Sequence, residues 1–177
     1  MEQRITRFLK HHHVLNLATS SDQGVWVAHC FYAFLPEHQA LVFTSGPETR
    51  HGQNMLLNPN VSCGIALETK AIGLIRGIQL SGRAFFTEST PDSVVIPAEA
   101  KPEAGTPSLT ANSSAGTPSL NVNASECRTA YLLRFPFALA AKLDLWVLYI
   151  DYLKMTDNRL GFGKKLEWRR EVRRIGV

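Results

Sequence analysis

The feature of this sequence that most restricts its fold is a long alternating segment near the middle of the chain. Between Ala71 and Thr87, apolar or small side chains recur at every second position. They are Ile78, Leu80, Gly82, Ala84 and Phe86, and Gly77, Gln79, Ser81, Arg83 and Phe85 lie between them. A period of two is typical of a β-strand, and its small residues permit the strong bend of a barrel strand. We therefore predict a bent barrel strand here.

Most of the chain before this segment is also rich in strand patterns. Runs of apolar residues predict strands at Val14 to Thr19, Val25 to Phe34, Ala40 to Phe43 and Val61 to Leu67. This excludes a doubly wound α/β fold, in which strands and helices alternate. The run from Val25 is apolar at nearly every position, which predicts burial on both of its faces. We expect His29, in its middle, to be a hydrogen-bonded core residue.

Helical patterns begin the chain and precede its last strands. Glu2 to His13 and Glu126 to Ala141 have helical spacing, and Leu145 to Met155 and Leu160 to Trp168 predict the last two strands. The three consecutive histidines before Val14 cannot converge on one ion from a helix, because successive side chains point in different directions. We expect a helix-to-strand junction there and no metal site.

The segment between the third and fourth predicted strands could bind phosphate. Ser45 and Glu48 have capping-box spacing, so we expect Ser45 to cap a helix that has Pro47 in its first turn. Thr44 adds a hydroxyl, and Arg50 and His51 follow directly. A helix N-terminus attracts phosphate through its free N–H groups. The alternative is that Ser45 only caps the helix while Arg50 and His51 face solvent.

The composition indicates one domain, residues 1–177, with a low-complexity insertion at about residues 97–125. The insertion repeats one unit, AGTPSLTANSS followed by AGTPSLNVNAS. Because the unit lacks aromatic residues and a face to bury, we expect it to be exposed.

Charge, cysteine content and hydropathy limit the partners and the location. The net charge is +4, but basic and aromatic residues do not interleave as in nucleic-acid modules, so nucleic acid is an improbable partner. Three distant cysteines indicate a reducing compartment. The sequence shows no secretory segment and no apolar run of about 20 residues, the length of a membrane span. We expect a cytoplasmic protein that does not enter a membrane.

Several motifs, in this order along the chain, resemble one known family. They are Phe31 to Phe34 (FYAF), Thr49 to His51 (TRH), Leu74 to Gly82 (LIRGIQLSG), Arg134 to Pro136 (RFP) and Thr156 to Trp168 (TDNRLGFGKKLEW). The sequence resembles the FMN-binding split barrels of the pyridoxamine-phosphate-oxidase-like superfamily, in particular their YhbP-like branch. The resemblance implies a mainly β (α+β) split β-barrel with a few short helices.

The resemblance also implies a homodimer with an FMN in each of two interface clefts. The predicted cofactor-binding residues are Thr44, Ser45, Arg50, His51, Gln79 and Lys164. A dimer also follows from the large apolar groups Trp26, Phe31, Trp146 and Phe162, which are more than a small monomer can cover.

Four departures from the oxidases argue against oxidation of pyridoxamine phosphate itself. His51 stands where the oxidases usually have Lys, and Gly77 follows Arg76 where they have Gln. The oxidases' Lys on the second strand and their C-terminal Arg-x-His have no counterpart.

Two functions are compatible with these features. The first is an FMN-dependent oxidoreductase of an unknown small molecule, in which the protein binds, orients and shields the flavin. The second is a non-catalytic binding protein for flavin, deazaflavin, haem or another planar ligand. No pattern identifies a catalytic residue, and His29 and Tyr32 are only candidates for a general acid.

Overall fold

The computed structural model describes residues 1–87 and 122–171. Its helices are α1 (Gln3–His11), α2 (Arg50–Leu57) and α3 (Ala124–Arg134). Its strands are β1 (Val14–Ser21), β2 (Gly24–Leu35), β3 (Ala40–Thr44), β4 (Asn60–Ala66), β5 (Arg76–Phe86), β6 (Leu145–Asp157) and β7 (Lys165–Arg169). Short 3-10 helices cover Ile72–Leu74, Pro136–Ala140 and Asn158–Leu160.

One antiparallel sheet contains all seven strands, in the order β3-β2-β1-β4-β5-β6-β7. An additional pairing of β3 with β6 closes six of these strands into a barrel, with β7 added to β6. The prediction of a mainly β (α+β) split barrel with short helices is therefore confirmed.

The alternating segment forms β5, although the strand begins at Arg76 and a 3-10 helix precedes it. The register of β5 with β6 shifts between Ser81 and Gly82, as the predicted bend requires. At this bulge the backbone of β6 approaches so closely that a Cβ on Gly82 would lie 2.1 Å from the carbonyl oxygen of Tyr149. The glycine thus permits the contact between β5 and β6.

The core consists of two clusters that share β6. One fills the barrel beneath α1 and α2, and the other lies under α3. Trp146, which we expected among the large groups that a monomer leaves open, is 1% exposed and belongs to the first cluster. It packs against Phe43 and Phe86, so only Trp26, Phe31 and Phe162 of that set are exposed.

The structure corrects four further predictions. Strand β2 is not buried on both faces: Val25 and Val27 are 70% and 53% exposed, and His29 is exposed.

The second predicted helix ends at Arg134, because Pro136 cannot continue it. The last strand begins at Lys165, after a 3-10 helix and a turn. Val122, inside the predicted insertion, is buried, and α3 begins at Ala124. Residues 97–121 of that insertion lie outside the described residues.

We expect Gly82→Ala to lower the free energy of unfolding by about 1–3 kcal/mol, because the new methyl group would collide with backbone atoms of β6. Gly64→Ala is a matched control on neighbouring β4, where the nearest atom to a Cβ, Asn16 Nδ2, is 3.9 Å away. Urea unfolding of both variants measures the difference. Equal stabilities would show that the bulge does not depend on glycine.

Candidate functional site

The turn between β3 and α2 is held by a network of hydroxyl groups. The Thr49 hydroxyl donates to the carbonyl oxygen of Gly46 (2.8 Å) and accepts a bond from the backbone N–H of Gly52 (3.1 Å). Ser45 Oγ lies 3.2 Å from Thr49 Oγ1 and is hydrogen-bonded to Nε2 of His51. The N-cap is therefore Thr49 and not Ser45, and Pro47 lies before the helix. The capping-box prediction is wrong, because the chain makes a turn from Gly46 to Thr49 before the helix begins.

Gly52 allows this turn to fold back onto the helix. A Cβ at Gly52 would lie 2.6 Å from the carbonyl oxygen of Gly46 and 2.8 Å from that of Pro47. The N–H groups of the first helical residues, Arg50 and His51, have no acceptor within the helix, so the turn presents donors and a partial positive charge. The exposed Glu48 carboxylate lies over Gly46, at the end of the helix where an anion is favoured.

Arg50 and His51 differ in setting although they are adjacent. The guanidinium of Arg50 lies 4.4 Å from the centre of the Trp26 ring, and its Nη2 donates to the carbonyl oxygen of Gln23 (3.4 Å). Arg50 is exposed, so it keeps donors available to a ligand. His51 is half-buried, and burial lowers its pKa below 6.5, so the imidazole is neutral at pH 7.

The other three predicted residues are separated in the fold. The Thr44 hydroxyl donates to the carbonyl oxygen of Asp144 (3.1 Å), beside the turn. Gln79 is on the outer face of β5, and Lys164 is exposed in the β6–β7 connection. Because Thr44 pairs with Leu145 while Lys164 bonds to Asp157, they lie at opposite ends of β6, roughly 40 Å apart along the strand. A single chain thus brings Ser45 and His51 together, with Thr44 and Arg50 nearby, but not Gln79 or Lys164.

A shallow cavity of about 450 Å³ crosses the outer face of β1, β4, β5 and β6. We call it the outer trough. Small residues form a large part of its lining, together with the larger Val27 and Tyr152. The small residues are Ala18, Ser62, Gly64 and Ser81, and Asn16, Gln79 and Lys154 contribute polar groups. This cavity was not predicted, although small residues at alternate positions of β4 and β5 are a sequence signal that could have located it.

The side chains next to the trough are unusually apolar for a surface. Val25, Val27 and Phe31 of β2 are 70%, 53% and 48% exposed. His29 is on the same strand, and its Nδ1 is 2.6 Å from Asn16 Oδ1. Exposed apolar groups that are close together mark a contact surface. The trough therefore has a side that could be covered by another molecule.

Neither Tyr32 nor the cysteines offers a reactive group. The hydroxyl of Tyr32 is fully buried and donates to the carbonyl oxygen of Leu9 (2.9 Å), so Tyr32 is a structural residue and not a general acid. Burial raises the pKa of Cys30 to about 11 and that of Cys127 to about 12, and it also raises the pKa of Cys63. All three thiols are therefore protonated at pH 7.

Two absences can be stated for residues 1–87 and 122–171. These residues contain no group of three or more His, Cys, Asp or Glu side chains that could hold a metal ion. No helix within them has the length and apolar character to cross a membrane.

Solved structures with this architecture show that the chain is a split-barrel protein. A haem-binding protein from Mycobacterium smegmatis matches with a TM-score of 0.61 and 17% identity, over 96% of this chain and 59% of that one. An FAD-binding protein from Mesorhizobium loti matches with a TM-score of 0.56 and 16% identity, over 86% and 89%. The haem storage protein HutZ from Vibrio cholerae matches with a TM-score of 0.52 and 16% identity, over 84% and 87%.

Sequence similarity then defines the family. A UPF0306 protein of Photorhabdus laumondii is 35% identical over 168 residues, which are 95% of each chain. A UPF0306 protein of Yersinia pseudotuberculosis is 35% identical over 166 residues, which are 94% of this chain and 91% of the relative. No family model matches the sequence. The chain belongs to the UPF0306 family.

Proposed function

We propose that this protein is an FMN-dependent oxidoreductase of a small molecule, and that it binds the flavin phosphate at the turn between β3 and α2. The observation that carries the proposal is the convergence of donors at this turn. The first N–H groups of α2, the Ser45 hydroxyl and the neighbouring Arg50 can all donate hydrogen bonds to a phosphate. The resemblance to the pyridoxamine-phosphate-oxidase-like superfamily supports the same residues.

The residues around the turn are suited to binding the phosphate group of a flavin. Arg50 is already held against Trp26, so binding phosphate would cost it less conformational freedom than it would cost a free side chain. Because the Thr49 hydroxyl donates to Gly46, Ser45 is the donor in its bond with Thr49. Ser45 can donate to a ligand when it gives up that bond and Nε2 of His51 carries the proton of the bond between Ser45 and His51. Bound FMN would supply the electron transfer, and this chain would orient it and exclude water.

We further propose that each site is shared between two copies of the chain. Gln79 pairs with Lys154, roughly 30 Å along β6 from the partner of Thr44, and Lys164 lies further still. Neither can reach the same ligand as Thr44 within one chain, whereas a second copy could supply them. The exposed apolar residues of β2 give that copy a surface to cover, and the outer trough next to them carries Gln79. The small residues that line the trough leave room for a flat ring to lie against the sheet.

A second candidate function is non-catalytic storage or transport of haem. The specific observation that favours it is the exposed His29 at the edge of the outer trough, because histidine is a common haem ligand. Two of the solved structures with this fold are described as haem proteins. The absorption spectrum of the purified protein separates the two functions, because haem gives a Soret band and flavin does not. Deazaflavin would be recognised by mass spectrometry.

We expect Arg50→Ala to weaken FMN binding roughly 10- to 150-fold, because a charge-assisted bond to phosphate contributes about 1.5–3 kcal/mol. Fluorescence quenching during flavin titration measures the affinity. Arg128→Ala is the matched control, because it removes the same charge from an exposed position on α3.

Riboflavin, which has no phosphate, should bind wild type and Arg50→Ala equally. If Arg50→Ala bound FMN as tightly as the Arg128→Ala control, the phosphate would lie elsewhere, for example at Lys164 and Lys165.

We also expect the FMN affinity of wild type, relative to that of His51→Gln, to increase as the pH falls from 7.5 to 5.5, by roughly three- to tenfold. Burial holds the pKa of His51 below 6.5, so the imidazole is neutral at pH 7 and gains its positive charge only at lower pH. A bound phosphate favours the protonated form, so protonation and binding support each other. The FMN phosphate itself gains a proton in this pH range, which weakens binding, and other histidines titrate as well, so comparison with His51→Gln isolates the contribution of His51. An unchanged pH dependence in His51→Gln would contradict a role for this residue.

A further inference from the structure

A second cavity, at another place in the fold, is lined by arginines. Its volume is about 450 Å³, and it lies between α1, the start of β5 and the end of β6. Its basic residues are Arg4, Arg7, His11, His12, Arg76 and Arg159, and we call this cavity the arginine pocket. None of these six residues belongs to the proposed flavin site.

The acidic groups near the pocket do not balance its charge. Asp157 is fully buried and accepts two bonds from the guanidinium of Arg159 (2.9 and 3.1 Å), which hold the pKa of its carboxyl below the usual range. Glu2 is 4.0 Å from Arg4 in an exposed pair that contributes little. Two carboxylates therefore face four guanidinium groups. Arg7 and Arg76 are the surplus charges.

Two polar atoms at the pocket have no hydrogen-bond partner although they are buried. They are Nε of Arg76 and Nε2 of His12. The guanidinium of Arg76 lies 5.9 Å from the centre of the ring of Phe8, which also lines the pocket. An unsatisfied buried donor is costly, and the cost is higher for a charged group. An oxyanion in the pocket would neutralise the excess positive charge around Arg76.

The positive groups around His12 also favour a negatively charged ligand in the pocket. Burial and the nearby positive groups, among them His11 and Arg76, lower the pKa of His12. Arg134 from α3 binds the carbonyl oxygens of His11 and His12 and adds another positive charge beside them. A negative ligand would relieve this repulsion.

The pocket is remote from the turn that we propose for the flavin phosphate. Thr44 pairs with Leu145 at the beginning of β6, whereas Met155, which lines the pocket, lies ten residues further along the same strand. At about 3.3 Å per residue this is roughly 33 Å along the strand. Within one chain, the pocket and this turn are therefore well separated.

We infer that the arginine pocket binds a small organic anion that carries phosphate or carboxylate groups with at least two negative charges. Its volume is in the range of small-molecule sites. Guanidinium groups match the geometry of both phosphate and carboxylate oxygens. The side chains of Phe8 and Met155 offer apolar contact to the rest of the ligand. The pocket is thus a place for a substrate or an effector in addition to the flavin.

Calorimetric titration with pyrophosphate and with citrate tests the inference, since the two probes distinguish phosphate from carboxylate ligands. Wild type should bind at least one of them saturably at the pocket, with an affinity that falls as salt is added. Arg7→Gln should weaken this binding about tenfold or more. Lys10→Gln is the matched control, because it removes one charge from an exposed position of the same helix outside the pocket.

The titration is repeated in the Arg50→Ala background, because a phosphate probe could also bind at the flavin site. Binding that persists there and is lost in Arg7→Gln supports the pocket. No saturable binding of either probe at millimolar concentration, or an equal loss in Lys10→Gln, would overturn the inference. FMN titration of Arg7→Gln should match wild type, so failure of this inference is distinguishable from failure of the flavin proposal.

Discussion

The pairing of β3 with β6 is the interaction on which the rest of this structure depends. It joins a strand from the first half of the chain to one that follows residues 88–121, and it closes the sheet into a barrel. It also fixes the turn that follows β3. The carbonyl oxygen of Asp144 accepts bonds from Thr44 and Ser45, and the indole N–H of Trp146 donates to the carbonyl oxygen of Ser45 (2.9 Å). The position of the candidate phosphate site thus follows from barrel closure.

The same strand separates two regions of different chemistry. At its beginning, the turn before α2 offers a few neutral donors and one exposed arginine, which suits a single phosphate group. At its end, the arginine pocket gathers several guanidinium groups around one buried carboxylate, Asp157. The outer trough between them has small residues and little charge. For the flavin enzyme that we propose, this arrangement offers separate places for the cofactor and for a second molecule.

Structural features that depend on residues close together in the sequence were predicted correctly. Features that depend on contacts between distant residues, or on contacts with another molecule, were not. Alternation over β5 predicted the bent strand, and Gly82 is where the bend occurs. The start of α2 was misplaced because the fold of the turn depends on the contact of Gly46 with Gly52, which capping patterns do not encode. Burial of β2 on both faces was wrong, because an apolar run does not reveal whether the chain itself or another molecule covers it. Of the predicted site residues, Ser45 and His51 are in contact because they are close in sequence, whereas Gln79 and Lys164 depend on topology or on a partner.

The central claim is that each flavin site takes Arg50 from one copy and Gln79 from the other. Arg50→Ala and Gln79→Ala chains carrying different tags can be co-expressed, and the mixed dimer can be purified and titrated with FMN. Each homodimer should lack a site of wild-type affinity. The mixed dimer should have one such site, because one cleft receives both substitutions and the other receives neither. A mixed dimer without a site of wild-type affinity, or a protein that light scattering shows to be monomeric, would contradict the account.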